Sequence, residues 1–112
     1  MNPSLKRQLL RTFIQMVDDL KDKNEIEKFL TDFFDDVELE TYVKRLAISY
    51  WLKKGRDREN IKRNLLATLS EITRSEKLLK KDGVQLALKK IEADEWANQW
   101  SEKIKNFTKI NK

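Results

Sequence analysis

Ser70, Glu71, Thr73, Arg74 and Lys77 lie close together at spacings that share the outer side of one helix. They supply two hydroxyls, a carboxylate, a guanidinium and an ammonium. Hydroxyls and carboxylates can hydrogen-bond the edges of bases, and a guanidinium pairs with guanine or with a phosphate. Around them lie Arg56, Arg58, Lys62, Arg63, Lys80 and Lys81, cations suited to phosphates. This is chemistry for recognising a polyanion rather than for making bonds. Two of these residues also have plainer readings. Glu71 sits three residues after Thr68, where it can hold a helix start, and Arg74 could be a solvated surface residue.

The residue inventory excludes most catalytic chemistry. The chain has no His and no Cys, which rules out disulfides, Cys- or His-based zinc sites, Cys or Ser–His nucleophiles and imidazole acid–base work. No loop has calcium-site spacing, so no metal is expected. The adjacent carboxylates Asp35 and Asp36 sit where a helix begins and read as caps, and the chain is not expected to be an enzyme. No apolar run approaches the ~20 residues of a membrane span, and Met1–Phe13 lacks the apolar stretch and cleavage site of a secretory signal. With no Cys either, the expected location is the cytoplasm, without a membrane partner.

Charge is unevenly placed along the chain. The formal net charge is +5, but residues 1–40 carry net −4, residues 41–90 net +9 and residues 91–112 net 0. A basic middle third suggests one surface that meets a polyanion. Length and composition say what positions that surface. At 112 residues and 13.4 kDa the chain is one domain's worth. Three Trp, two Tyr and five Phe argue against disorder, while two Gly and one Pro are too few for the turns of a many-stranded protein. The expected fold is all-α, with about six helices.

Periodicity places them. Apolar residues from Leu5 to Leu20 predict an amphipathic helix with a wide face, with Pro3 and Ser4 at its start. Asn24 followed by Glu27 predicts a capping box for a second helix, 26–34, carrying Ile26, Phe29, Leu30, Phe33 and Phe34. Asp35 or Asp36 caps a central helix, 36–54, which Gly55 ends as a left-handed cap. Asp57 opens a short helix, 58–66, with Ile61, Leu65 and Leu66 inward. Thr68-Leu69-Ser70-Glu71 is a capping box for another, 69–81, which carries Leu69, Ile72, Leu78 and Leu79 and which Gly83 closes or follows. A C-terminal helix, 84–108, carries Leu86, Leu88, Ile91, Trp96, Trp100, Ile104 and Phe107. The reading is a single helical domain, 1–112, with 1–34 as dimerisation helices because their apolar faces are too wide for one small subunit to bury.

Two short helices with a tight break, inside the most basic third, form the pattern of a helix-turn-helix over 57–81. In such a unit the first helix braces on the phosphates and the second enters the major groove. The turn, Leu66-Ala67-Thr68, has no glycine, so Thr68 as cap is expected to make the break.

The segments VELETYVKRLAISYWLKKG, ENIKRNL and ITRSEKLLK, with Phe29-Leu30 before them and Gly83 after, resemble the tryptophan repressor family, and especially its small repressor-like branch. Ile72-Thr73-Arg74 followed by Leu78-Leu79-Lys80, at its distance from Arg45 and Gly55, is the most specific piece. The resemblance implies an intertwined helical homodimer whose two helix-turn-helix units face successive major grooves of double-stranded DNA. It implies base-reading roles for Leu69, Ser70, Glu71 and Thr73, a phosphate contact for Lys62, and an effector cleft matching Arg45, Arg74 and Asp35. The chain departs from the family at four points. Leu66-Ala67-Thr68 replaces a Gly-rich turn, and Ser75 stands in place of a glycine. Leu78 replaces a ligand-binding serine, and Asp35 is acidic, unlike its counterpart. The expected cofactor is therefore none, L-tryptophan being the candidate the departures disfavour. The expected function is a sequence-specific DNA-binding transcriptional regulator, a repressor by the resemblance, that binds the major groove as a dimer, against the alternative of a helical dimeric interaction module that has lost specific DNA binding.

Overall fold

The computed structural model describes the backbone of residues 1–110 and side chains through Asn98. Its element order is α1 (Pro3–Asp19), α2 (Lys23–Phe33), α3 (Asp36–Lys53), α4 (Arg58–Leu65), α5 (Leu69–Leu78) and α6 (Asp82–Ile110). No strand occurs among the described residues, so the fold is all-α with a helix-turn-helix.

Local chemistry explains most of the helix ends. Pro3 occupies the first turn of α1, where its missing N–H costs nothing, and Asn2 Oδ1 accepts from Ser4 N at 2.7 Å. Asp35 caps α3 reciprocally: its Oδ1 accepts from Glu38 N at 2.8 Å, and Glu38 Oε1 accepts from Asp35 N at 3.1 Å. Gly55, at φ +86°, ends α3, and Arg56 N–H reaches back to Trp51 O at 3.1 Å. The Arg56 guanidinium then lies 3.8 Å over the Trp51 ring.

Other ends differ from the sequence reading. The cap of α2 lies two residues before the expected Asn24, because Asp22 accepts from Glu25 N at 3.0 Å and Glu25 Oε1 accepts from Lys21 N at 2.9 Å. Two overlapping acid-rich caps compete there, and the earlier one adds helical residues. α5 ends at Leu78 rather than 81, and α6 begins at Asp82, with Gly83 inside its first turn.

The contacts group into two compact units, Met1–Tyr42 and Val43 onward, with the boundary inside α3. In the first unit, Phe13 meets Phe29 edge-on at 6.0 Å, Phe29 stacks on Phe33 at 5.1 Å, and Phe34 meets Tyr42 at 5.6 Å. Neither α1 nor α2 buries any residue. Leu9, Leu10, Phe13, Ile14, Val17, Ile26 and Phe33 all remain exposed, Phe33 by 62%.

The second unit has a small, tight core. Ile48 of α3, Ile61 of α4, Ala67 of the turn and Ile72 of α5 are buried together, with Trp51, Leu52 and Leu65 against them. Leu88 of α6 is fully buried, whereas Leu86 and Trp96 are exposed. The side chains of Trp100, Ile104 and Phe107 lie outside the described residues. Tyr50 of α3 donates a hydrogen bond to Glu95 of α6, and Lys53 and Lys54 approach Glu92 at 3.8 and 3.5 Å.

Candidate nucleic-acid interface

The interface is built by α4, the turn and α5. Asp57 caps α4 by accepting from Asn60 N at 2.7 Å, and Ile61 anchors the helix in the core. Leu66 ends it at φ 50°, ψ 44°, and Ala67 N–H reaches back to Lys62 O at 3.1 Å. The break therefore has two makers rather than Thr68 alone. An exposed leucine adopts the left-handed conformation that costs a side-chain-bearing residue roughly 1–2 kcal/mol. Ala67 then plugs the core, and Thr68 starts α5 with a complete capping box: its Oγ1 accepts from Glu71 N at 3.1 Å, while Glu71 Oε1 accepts from Thr68 N at 3.0 Å.

Burial of Ile72 and Ser75 sets the rotation of α5. That rotation leaves Leu69, Ser70, Thr73, Arg74 and Lys77 exposed, with Glu71 half-buried beside them. Lys62 and Arg63 are exposed on α4. Among the described residues none of Lys62, Arg63, Arg74 and Lys77 is in an ion pair, so their charges face outward.

Glu71 is differently placed. Besides capping α5, its Oε1 lies 3.3 Å from Lys44 Nζ. The Thr68 backbone N–H holds its pKa below the ordinary carboxylate range; partial burial opposes this and Lys44 reinforces it. Its Oε1 is thus already engaged within the fold, by the Thr68 N–H and by Lys44.

Lys44 also donates to Leu66 O at 2.8 Å, pinning the turn to α3 from 22 residues away. Nothing local in the sequence marks Lys44 for this role.

Two of the expected phosphate cations are engaged inside the molecule. Arg56 lies over Trp51. Arg58 Nη2 is 3.0 Å from Glu76 Oε1 and donates to Thr73 Oγ1 at 3.3 Å. Both contacts need tertiary packing or a cap geometry that residue counting does not supply.

The effector candidates lie on different elements. Arg45 is half-buried on α3, where its carbonyl accepts from Ser49 Oγ at 2.9 Å, and Arg74 is exposed on α5. Asp35 belongs to the first unit, with Oδ1 engaged at the α3 cap. Ser75, beside Arg74, is fully buried, and its Oγ has no hydrogen-bond partner. An open groove of about 570 Å³ is lined by Glu25, Lys28, Phe29, Asp32 and Phe33 of α2, and none of the three candidates lines it. No cluster of three or more acidic residues able to hold a metal ion occurs among the described residues. No helix among them is long and apolar enough to cross a membrane.

A family model described as Trp repressor protein matches residues 8–92. The match takes in α2 through α5 whole and ends within α6. No curated protein and no solved structure matches the chain.

Proposed function

This chain belongs to the Trp repressor protein family, and we propose that it is a sequence-specific transcriptional repressor that binds the DNA major groove as a homodimer. The family is one of DNA-binding transcriptional regulators and not of enzymes. The observation that carries the finer reading is the exposed face of α5, preceded by a basic brace helix. Lys62 and Arg63 offer charge to phosphates, while Leu69, Ser70, Thr73, Arg74 and Lys77 stand outward on a helix that fits one groove. Glu71 holds the start of that helix and supports its neighbours as readers.

The dimer is supported by the bare apolar face of α1 and α2, which bury nothing within the chain. Under this reading residues 1–34 are the dimerisation helices. Repression follows from occupancy: a dimer seated on its site excludes other proteins from that DNA. Tryptophan is not required. Leu78 offers no hydrogen bond to a ligand's amino group, and Ser75 places a side chain where the family has none.

The test is selection of bound duplexes from a random pool, with and without L-tryptophan. A shared sequence recovered in both arms supports the reading. Recovery only with tryptophan would restore it as co-repressor, with Arg45 and Arg74 holding the carboxylate. Recovery of no shared sequence would favour the interaction module.

A further inference from the structure

We infer that Arg58 is a positioning residue that sets which bases Thr73 accepts, an inference that rests on the DNA-reading role proposed above for α5. Arg58 opens α4 and Thr73 lies in the middle of α5, yet Arg58 Nη2 donates to Thr73 Oγ1 at 3.3 Å. The same guanidinium is held by Glu76, one helical turn beyond Thr73, at 3.0 Å. Glu76 Oε1 is shut off from water and meets the guanidinium by charge, without a hydrogen bond, so this ion pair is less screened than its half-exposed side chains suggest.

A threonine hydroxyl has one proton to donate and two lone pairs that accept. Arg58 engages a lone pair and leaves the proton outward. The adjacent positive charge strengthens Thr73 as a donor and opposes the approach of another N–H group. The hydroxyl therefore reads acceptors: purine N7, guanine O6 or thymine O4. Cytosine presents only its N4 amino donor in the major groove and is refused. The Arg58–Glu76 pair thus converts an ambivalent hydroxyl into a one-way reader. It also withdraws Arg58 from the phosphate-binding set in which its type and position would place it.

The experiment begins with the duplex selected by the wild-type dimer. The base pair read by Thr73 is located as the one whose substitution is tolerated by Thr73→Ala. At that pair, wild-type protein should discriminate against cytosine by roughly fivefold to a hundredfold, the range of a good base contact. Arg58→Ala and Glu76→Gln should each lower that discrimination by about fivefold or more, and Arg58→Lys should restore it. Affinity for random duplex should change less than about twofold, because no phosphate contact is lost.

Four outcomes overturn the inference. If Arg58→Ala weakens all duplexes alike and flattens the salt slope by about one unit, Arg58 is a phosphate contact. If it lowers the melting temperature with base preference intact, the pair is structural only. If Thr73→Ala leaves every position of the selected site unchanged, Thr73 reads nothing and this inference fails alone. If the wild-type protein selects no sequence, the DNA-reading function fails with it.

Discussion

Thr73 and Leu66 show how much a single residue's setting adds to its type. Thr73 is exposed, but its hydroxyl already accepts from Arg58. Thr73→Ala and Ser70→Ala are expected to relax preference at one or two base pairs, each costing about 1–3 kcal/mol on the selected duplex and little on random DNA. Lys62→Ala should weaken both alike and reduce the salt slope by about one unit. Titration of each variant against both duplexes over a salt series separates the two classes, and identical behaviour would refute the division. Leu66 is 82% exposed in the left-handed region, so its side chain gains little from burial. Leu66→Gly should raise stability by about 1 kcal/mol in urea unfolding, and a loss would mean that the leucine makes contacts that matter.

At the scale of elements, ionisable groups join α3 to its neighbours, and two pH windows follow. Glu71 caps α5 and meets Lys44 of α3, and its pKa is lowered, first by the Thr68 N–H. The stabilisation is full above the ordinary carboxylate value of 4.5 and is lost as pH falls through the lower folded value. Glu71→Gln should be less stable than wild type near neutral pH, with a flatter acid limb in denaturant titrations; an unchanged limb would refute this.

Tyr50 gives the opposite window. Its hydrogen bond to Glu95 is the largest cause raising it from 10.0 to about 12, followed by desolvation and the charges of Glu95 and Glu92. That contribution is present below pH 10.0 and is lost as pH rises through about 12. Thermal melts should show wild type losing stability across this range and Tyr50→Phe losing less. Equal losses would mean that the Tyr50–Glu95 link between α3 and α6 does not contribute.

For the whole molecule, the decisive feature is what the chain leaves uncovered. Phe13 is 40% exposed and Phe33 62% exposed, in a cluster whose geometry favours aromatic packing. A second subunit that covers this face removes the apolar area from water. Sedimentation at micromolar concentration should show a homodimer, and a folded 13.4 kDa monomer would refute it. Phe13→Ala should weaken the dimer by roughly 3–5 kcal/mol, the range for truncating a buried phenylalanine. Operator binding should then fall with dimer concentration rather than with any change in α5.

The sequence by itself determined the helices, most of their caps and the outward face of α5. Asp35, Asp57, Gly55 and the Thr68–Glu71 box act within a few residues of themselves, so their chemistry is complete in the local sequence. Periodicity likewise marked Ile61, Leu65 and Ile72 as inward, which turns Ser70, Thr73 and Lys77 out, but it marked Leu66 inward too, and the left-handed cap turns that residue into solvent. The start of α2 was less legible, because Asp22–Glu25 and Asn24–Glu27 both offer an acid-rich cap. Tertiary structure alone decided the partners that lie far apart in the chain. Lys44 reaches Leu66 across 22 positions, Arg58 reaches Thr73 across 15, and Tyr50 reaches Glu95 across 45. Composition predicts the same charge for Arg58, turned to Glu76, as for Lys62, left facing solvent. Only packing of α4 against α5 brings a carboxylate within reach of the first, and an ion pair forms wherever folding places opposite charges together.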